Sequence, residues 1–294
     1  MMAFVELRHL RSFVVAAEEL HVGRAAVRLH LTQPSLSRQI AALERDVGVP
    51  LFTRIRRRFG LTPAGEIFLA AAREIVRRAD EAARDAQRAH RGELGTLRLG
   101  FVQSATFEAL PRLLAAFRAA HPDVNLNVET MTTIRQLAAL RAGHIDVGLL
   151  RPPVSEPTLT TRVISRDPLV AALPAGHPLA KRRRLPLAAL ADEPFVLYTR
   201  ASGPSVQDVI IGHCMSAGFS PRIVQEAADV QTIVTLVGAG LGVSLLIAPT
   251  PPTDERTVAY RPISDDLPPW ELALAWSTDN QTPVLSRFLA VAAQ

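Results

Sequence analysis

The sequence predicts an α/β protein preceded by a helical N-terminal region, on three observations. Between Ala17 and Val47, AAEELHVGRAAVRLHLTQPSLSRQIAALERDV, two short helical patterns flank a tight turn. From Pro63 to about His90 a helical periodicity runs without a break. From residue 97 onward, short apolar runs alternate with helical patterns, as in a mainly parallel sheet covered by helices.

Composition sets the frame. At 294 residues the chain is long enough for about two domains with their own cores. The net charge of +5 is unevenly held: residues 1–91 carry sixteen arginines, no lysine and ten acidic residues, whereas the remainder is close to neutral. Excess positive charge confined to one region is the electrostatic footprint expected for nucleic acid. Cys214 is the only cysteine, which excludes an intrachain disulfide and a thiolate metal cluster. The N-terminus mixes charge into its apolar residues and has no signal-peptide core. The uncharged stretch from Thr232 to Thr250 is interrupted by Gly238, Gly240, Gly242 and Pro249 and does not read as a membrane span. The expectation is a soluble cytoplasmic protein without a cofactor.

In chain order, residues 7–20 place Leu7, Leu10, Phe13, Val14 and Ala17 on one helical face. Ala25, Ala26 and Leu29 follow at helical spacing, with alanines small enough for a close helix crossing. Thr32 offers a cap and Pro34 fits a first turn. In the next helix Leu36, Ile40, Leu43 and Val47 form one apolar stripe. The opposite stripe is Arg38, Ala41, Ala42 and Arg45, with Gln33, Ser35 and Ser37 at the helix start. This pair reads as a helix-turn-helix. Arg38 can address a guanine edge in the major groove, while the hydroxyls and amide reach phosphates or base edges. An ordinary amphipathic pair with solvated arginines is the alternative. LFTRIRRRFGLTP then alternates apolar and basic residues between turn signals, a hairpin or wing carrying Arg54, Arg56, Arg57 and Arg58.

Thr62 and Pro63 open the long helix, with Glu66 in its first turn. Phe68, Ala72, Ile75, Ala79, Ala82, Ala86 and Ala89 alternate spacings of four and three, a coiled-coil seam that one chain alone is not expected to bury, so a homodimer is expected. RGELG, residues 91–95, reads as a hinge. Beyond it, strands are expected at 97–102, 124–130 and 145–150, with helices at 107–120 and 133–142. A second set has strands near 168–173, 194–198, 222–226 and 242–247 and helices near 204–217 and 229–238; ELALAWST and the segment after Pro283 supply a late strand and helix.

These features, taken in order, resemble the LysR-type transcriptional regulators. The resemblance rests on ELRHLRSFVVAAEELHVGRAAVRLHLTQPSLSRQIAALERDVGVPLFTR, LTPAGE, RLGFV, LPRLLAAFRAAHPDVNLNV, IDVGLL, GHPLA and LVGAGLGVSLL, and it spans the chain. It implies a winged helix-turn-helix over residues 1–62, a linker and dimerisation helix over 63–92, and an effector-binding domain over 95–294 of the periplasmic-binding-protein type. In that domain subdomain I would comprise 95–166 and 268–294, and subdomain II 167–267. It further implies a homotetramer, a dimer of dimers, that binds double-stranded promoter DNA, recruits RNA polymerase as an activator and responds to a small organic acid. Carried over residue by residue, the DNA contacts fall on Gln33, Pro34, Ser35, Ser37, Arg38, Arg54 and Arg57. Within the family the sequence is most similar to the branch controlling aromatic-compound and catechol degradation, whose effectors resemble muconate or benzoate.

Small molecules bind beyond the carboxyl ends of strands in open α/β sheets, where helix N-termini present free N–H groups. Gln103 and Ser104 follow the first strand, and Thr132 and Thr133 follow the second. Ser202, Pro204 and Val206 open a helix in the second set. These seven residues are the expected effector site. Two rival readings are a solute-binding protein, which leaves the N-terminal region unexplained, and an enzyme. No HExxH pair, GxSxG elbow or P-loop occurs, and Gly238, Gly240 and Gly242 end a helix and open a strand, the reverse of a dinucleotide fingerprint. A non-enzyme is therefore expected.

Overall fold

The structure, a computed structural model, describes residues 5–55, 58–200, 204–248, 250, 254 and 256–293, with the backbone alone at 54, 55, 58, 204 and 205. The chain divides into two compact units, residues 1–88 and 89–294.

The first unit contains α1 (Leu7–Glu19), α2 (Val22–Arg28), α3 (Gln33–Val47), the hairpin β1 (Phe52–Ile55) with β2 (Arg58–Leu61), and most of α4 (Pro63–His90). Ala16, Ala25 and Ala26 are buried against Leu36 and Ile40, so alanine on both sides lets α2 and α3 approach α1 closely. A second cluster joins Leu10, Phe13, Leu43, Leu51 and Ala72, with Phe68, Leu69 and Val76 at its edge. Phe13 meets Phe52 and Phe68 at ring distances of 5.2 and 5.3 Å. The start of α4 is thereby part of this core. Thr62 fixes it: its hydroxyl oxygen accepts from the Gly65 N–H at 2.9 Å and its O–H donates to the Pro50 carbonyl at 2.8 Å.

This corrects one expectation. Phe68 and Ala72, the first two positions of the expected seam, are covered by α1 and the hairpin of their own chain. The packing of α1 against α4 is non-local and leaves no mark on the seven-residue period. Farther along, Ile75 is 48% exposed and Ala82, Ala86 and Ala89 are exposed. The seam positions Ile75, Ala82, Ala86 and Ala89 are therefore still available to a partner, and Ile67, one residue before the seam begins, is 79% exposed.

The second unit has two lobes. In the first, β3 (Gly95–Phe101), β4 (Val124–Thr130), β5 (Val147–Leu150), β6 (Leu159–Asp167) and β12 (Trp270–Ser277) form a sheet in the order β4-β3-β5-β12-β6. Helices α5 (Ala109–Ala120), α6 (Thr133–Arg141) and α9 (Pro283–Val291) accompany it, and Leu97, Leu99, Phe117, Leu149, Leu274 and Phe288 are at the centre of its largest core. In the second lobe, β7 (Leu169–Pro174) is flanked by β10 (Ser244–Ile247) and β11 (Val258–Pro262). Strands β8 (Pro194–Tyr198) and β9 (Arg222–Ala227) pair beside them, bridged through Phe195 and Val243. Helices α7 (Pro204–Ser216) and α8 (Val230–Gly238) belong to this lobe.

The expectation of a mainly parallel sheet needs correction. β3 pairs in parallel with β4 and β5, and β8 with β9, but β12 runs antiparallel to both β5 and β6, and β7 is antiparallel to β10 and β11. Strands β6 and β11 were not expected at all. Residues 159–167, LTTRVISRD, mix polar and apolar residues because the strand lies at a sheet edge and one face is solvated. The helix expected at 107–120 starts at Ala109, preceded by a 3₁₀ turn over Gln103–Phe107.

The hinge reading of residues 91–95 is also corrected. The Arg91 carbonyl accepts from the Arg287 guanidinium at 2.5 Å, and Arg287 lies 3.6 Å from Glu93. Gly92 has φ of 71°, and a Cβ there would sit 2.6 Å from the Pro283 carbonyl carbon. The glycines serve a tight docking against the start of α9.

Candidate functional site

In the first unit the candidate surface is the solvent face of α3 with the hairpin beside it. The Thr32 hydroxyl oxygen caps α3 by accepting from the Ser35 N–H at 3.4 Å. Leu36, Ile40 and Leu43 point inward, which leaves Gln33, Pro34, Arg38, Ala41 and Arg45 exposed and Ser35 and Ser37 half-buried. Arg38 folds along the helix, its Nε–H donating to the Pro34 carbonyl at 3.4 Å. Gln39 ties α3 to α1 through the Ser12 hydroxyl at 2.5 Å. Gln33 lies against Gly23 of α2, where a Cβ would be 2.8 Å from its amide nitrogen. The hairpin is fixed to the same helix, because the Glu44 carboxylate accepts from the N–H groups of Leu51 and Phe52 at 2.8 and 2.9 Å. Phe52 stacks on Phe59 at 4.4 Å. Among the expected contacts, Arg54 takes its place in β1 opposite Phe59, and Arg57 lies outside the described residues.

In the second unit a cavity of about 360 Å³ separates the two lobes. Five of the seven expected residues line it: Gln103, Ser104, Thr132 and Thr133 from the first lobe, and Val206 from the second. Pro204 opens α7 by its backbone, and Ser202 lies outside the described residues. The remaining lining includes Val102, Met131, Ile134, Leu137, Pro153, Tyr198, Ala228, Val230 and Ile247, together with Arg151.

Arg151 is the residue that sequence reasoning missed. It directly follows β5, is 5% exposed, and pairs with Asp167 at 2.8 Å. Its Nε–H donates to the Ser104 hydroxyl at 3.3 Å and an Nη1–H to the Trp270 carbonyl at 3.2 Å, while its backbone N–H donates to the Thr133 hydroxyl at 3.4 Å. Ser104, Thr133 and Arg151 are thus one connected polar group at the strand ends. Burial pulls the Arg151 pKa down and Asp167 opposes it, so the pair holds the guanidinium charged. The Thr132 hydroxyl oxygen is used as the cap of α6, accepting from the Arg135 N–H. Behind them, buried Gln136 donates to the carbonyls of Met131 and Leu149 and holds the loop after β4. On the opposite wall Tyr198 has its phenol pKa raised by burial, with Arg151 working against the shift and Asp229 adding to it. The one signal that could have found Arg151 is a charged residue directly after the four buried residues of β5.

Comparison with known proteins places this geometry. Residues 7–66 match the family model described as "Bacterial regulatory helix-turn-helix protein, lysR family", and residues 90–294 match "LysR substrate binding domain". The chain is 43% identical to the uncharacterized HTH-type transcriptional regulator YnfL of Escherichia coli, over 97% of this chain and 96% of that one. Among solved structures, CbnR, a LysR family transcriptional regulator, is 31% identical with a TM-score of 0.88, covering 98% of this chain and 99% of that one. CbnR bound to its target DNA gives 30% and 0.85, with 98% of each chain covered. The effector-binding domain of BenM with its effector benzoate is 28% identical with a TM-score of 0.63, covering 68% of this chain and 91% of that one. The chain belongs to the LysR family of DNA-binding transcriptional regulators. The first unit therefore contains the family's helix-turn-helix and the second its effector-binding domain.

Proposed function

We propose that this regulator reads promoter DNA with α3 and the β1–β2 hairpin and is switched by a small organic acid held between the lobes of the second unit. The observation that carries the DNA half is the exposure of Gln33, Pro34 and Arg38, with Ser37 half-buried beside them, on a helix whose opposite face buries Leu36, Ile40 and Leu43 in the core. Ser35, Arg54 and Arg57 complete the proposed contacts. The observation that carries the effector half is the cavity that brings Gln103, Ser104, Thr132 and Thr133 opposite Val206, with Ser202 and Pro204 proposed at its rim. Its volume is in the range of small-molecule sites, about 300–1,000 Å³, and BenM binds benzoate in its corresponding domain. The protein acts by binding and not by catalysis, in the cytoplasm, as a homotetramer that bends promoter DNA and recruits RNA polymerase when the effector favours one arrangement of its subunits. The exposed apolar positions of α4, Ile67 and Ile75, supply the dimer contact. No described helix is long and apolar enough to cross a membrane.

Selection of bound sequences from a random duplex pool tests the DNA half. The full-length protein is expected to enrich a motif with two-fold symmetry, and Arg38→Ala to lose that motif while Arg112→Ala, an effector-domain control, keeps it. An identical motif at equal enrichment from Arg38→Ala would remove α3 as the reading element.

A further inference from the structure

The second lobe carries one concentration of charge that neither α3 nor the cavity uses. Residues 167–267 hold eight lysine or arginine side chains against ten carboxylates, and four of the eight stand in a row, Lys181, Arg182, Arg183 and Arg184. All four are exposed, and Lys181 is the only lysine in the sequence. The run is held at both ends. Before it, a 3₁₀ turn over Pro178–Lys181 is capped by His177, whose Nδ1 accepts from the Leu179 N–H at 3.2 Å, and Ala180 is buried. After it, Leu185 is buried, its N–H donating to the Pro262 carbonyl at 3.0 Å and its carbonyl accepting from the Ser264 N–H at 2.8 Å.

Arg261 of β11 adds a fifth cation, its Nε–H donating to the Ala180 carbonyl at 2.8 Å, while Arg184 donates to the Ile263 carbonyl at 3.4 Å. Among the described residues none of the five is paired with a carboxylate, whereas Arg200 and Arg256 of the same lobe pair with Asp208 and Asp254 at 2.8 and 2.7 Å. Two carboxylates close by in sequence are engaged elsewhere: Asp265 accepts from the Leu187 N–H at 2.7 Å, and Glu193 lies 3.3 Å from His177.

We infer that the loop over residues 181–184 is a second DNA contact, which grips backbone phosphates outside the stretch read by α3 and does so without regard to sequence. Cations crowded without counter-charge repel one another in the free protein. A duplex, with one negative charge about every 1.7 Å of axis, relieves that repulsion and releases its own condensed counterions. Other surfaces fit the patch less well. No large hydrophobic side chain is exposed between residues 176 and 193, so the apolar and aromatic centre of a protein interface is missing. The same residues contain no Phe, Trp or Tyr on which the bases of a single strand could stack.

Binding of the full-length protein to two duplexes tests this, one limited to the motif that α3 selects and one with that motif extended by unrelated sequence. Lys181→Gln, Arg182→Gln and Arg183→Gln are combined, since none of these side chains has a hydrogen bond or ion pair to lose among the described residues. On the extended duplex the triple variant is expected to bind roughly tenfold or more weakly, and its slope of log affinity against log salt to fall by about 2–3. On the short duplex it should match wild type. Arg112→Gln, Arg118→Gln and Arg135→Gln together remove the same charge from the first lobe and should change neither; an equal fall in slope would assign the effect to net charge and overturn the placement. Lys181 also reports on the unaltered protein, being the one side-chain target of an amine-acetylating reagent. The extended duplex should slow its modification. An unchanged slope, or a Lys181 that DNA does not protect, would overturn the inference, and an equal loss on both duplexes would overturn the position outside the motif. Arg38→Ala weakens both duplexes alike, so failure of α3 as the reading element is told apart from failure of the loop.

Discussion

Arg151 and Asp167, sixteen positions apart in sequence, form an ion pair of 2.8 Å in which both residues are under a tenth exposed, across strand β12, which separates β5 from β6. The pair joins the ends of two strands and, through the Trp270 carbonyl, the third between them. It therefore sets the shape of the polar end of the cavity as well as its charge.

Removing one partner leaves the other charge buried and uncompensated. Asp167→Ala is expected to destabilise the second unit by about 3–5 kcal/mol, read as a fall in its thermal transition. The double variant Arg151→Met with Asp167→Leu should recover most of that loss while abolishing acid binding. A stable, acid-binding Asp167→Ala protein would show that the pair is peripheral.

At the DNA surface, Arg38→Ala should cost about 1–3 kcal/mol of specific affinity, measured by titration of one selected duplex at fixed salt. Gly23→Ala makes a distinct prediction. Its Cβ would meet only the flexible end of Gln33 and the His21 ring, so stability should hold while the position of Gln33, and with it sequence preference, shifts. Equal preference in wild type and variant would take Gln33 off the list of contacts.

Gly65 lies in the first turn of α4 where alanine would be the better helix former, yet a Cβ there would be 2.1 Å from the Leu51 carbonyl oxygen. Gly65→Ala is accordingly expected to destabilise the first unit by about 1–3 kcal/mol. Thr62→Ala, which removes the cap without a clash, should cost about 1–2 kcal/mol. Chemical denaturation followed on both variants would separate the two effects, and a stabilised Gly65→Ala protein would contradict the packing described.

Burial pulls the His213 pKa below its ordinary value, and its Nε2 is buried without a hydrogen-bond partner. The folded protein therefore resists protonation that the unfolded chain accepts near pH 6.5. Stability from this residue is complete above that pH and declines as pH falls through and below it. A plot of stability against pH should flatten on the acid side in His213→Leu. Burial likewise pushes the neighbouring Cys214 thiol up to about 11, so at pH 8 iodoacetamide should modify it only when the second unit opens. Rapid alkylation of the folded protein would contradict its burial.

The first unit was largely legible in the sequence because its signals are local. The spacing of Leu36, Ile40 and Leu43, the Thr32 cap and the basic hairpin each lie within about a dozen residues, and each appears as expected. The same holds for the strands and helices of the second unit that carry unbroken apolar runs. Gln103, Ser104, Thr132 and Thr133 could be proposed for the same reason, since they follow recognisable strands, and the fold does bring them to one cavity.

Other features are set by partners far along the chain. The seam of α4 has a regular period, but whether Phe68 and Ala72 face a second chain or Phe13 depends on how α1 packs, and the period is silent on that. Strand β6 borrows its regularity from β12, more than a hundred residues later, so its own residues need not alternate cleanly. Arg151 owes its place to Ser104, Asp167 and Trp270, which only the assembled sheet makes neighbours. By itself the sequence determined most of the elements, the Thr32 and Thr62 caps and the family, because short-range periodicity and side-chain chemistry specify them. The tertiary structure alone decided the direction of β12, the charge balance of the cavity and the pinning of residues 91–95, because those depend on contacts between residues that no local pattern records.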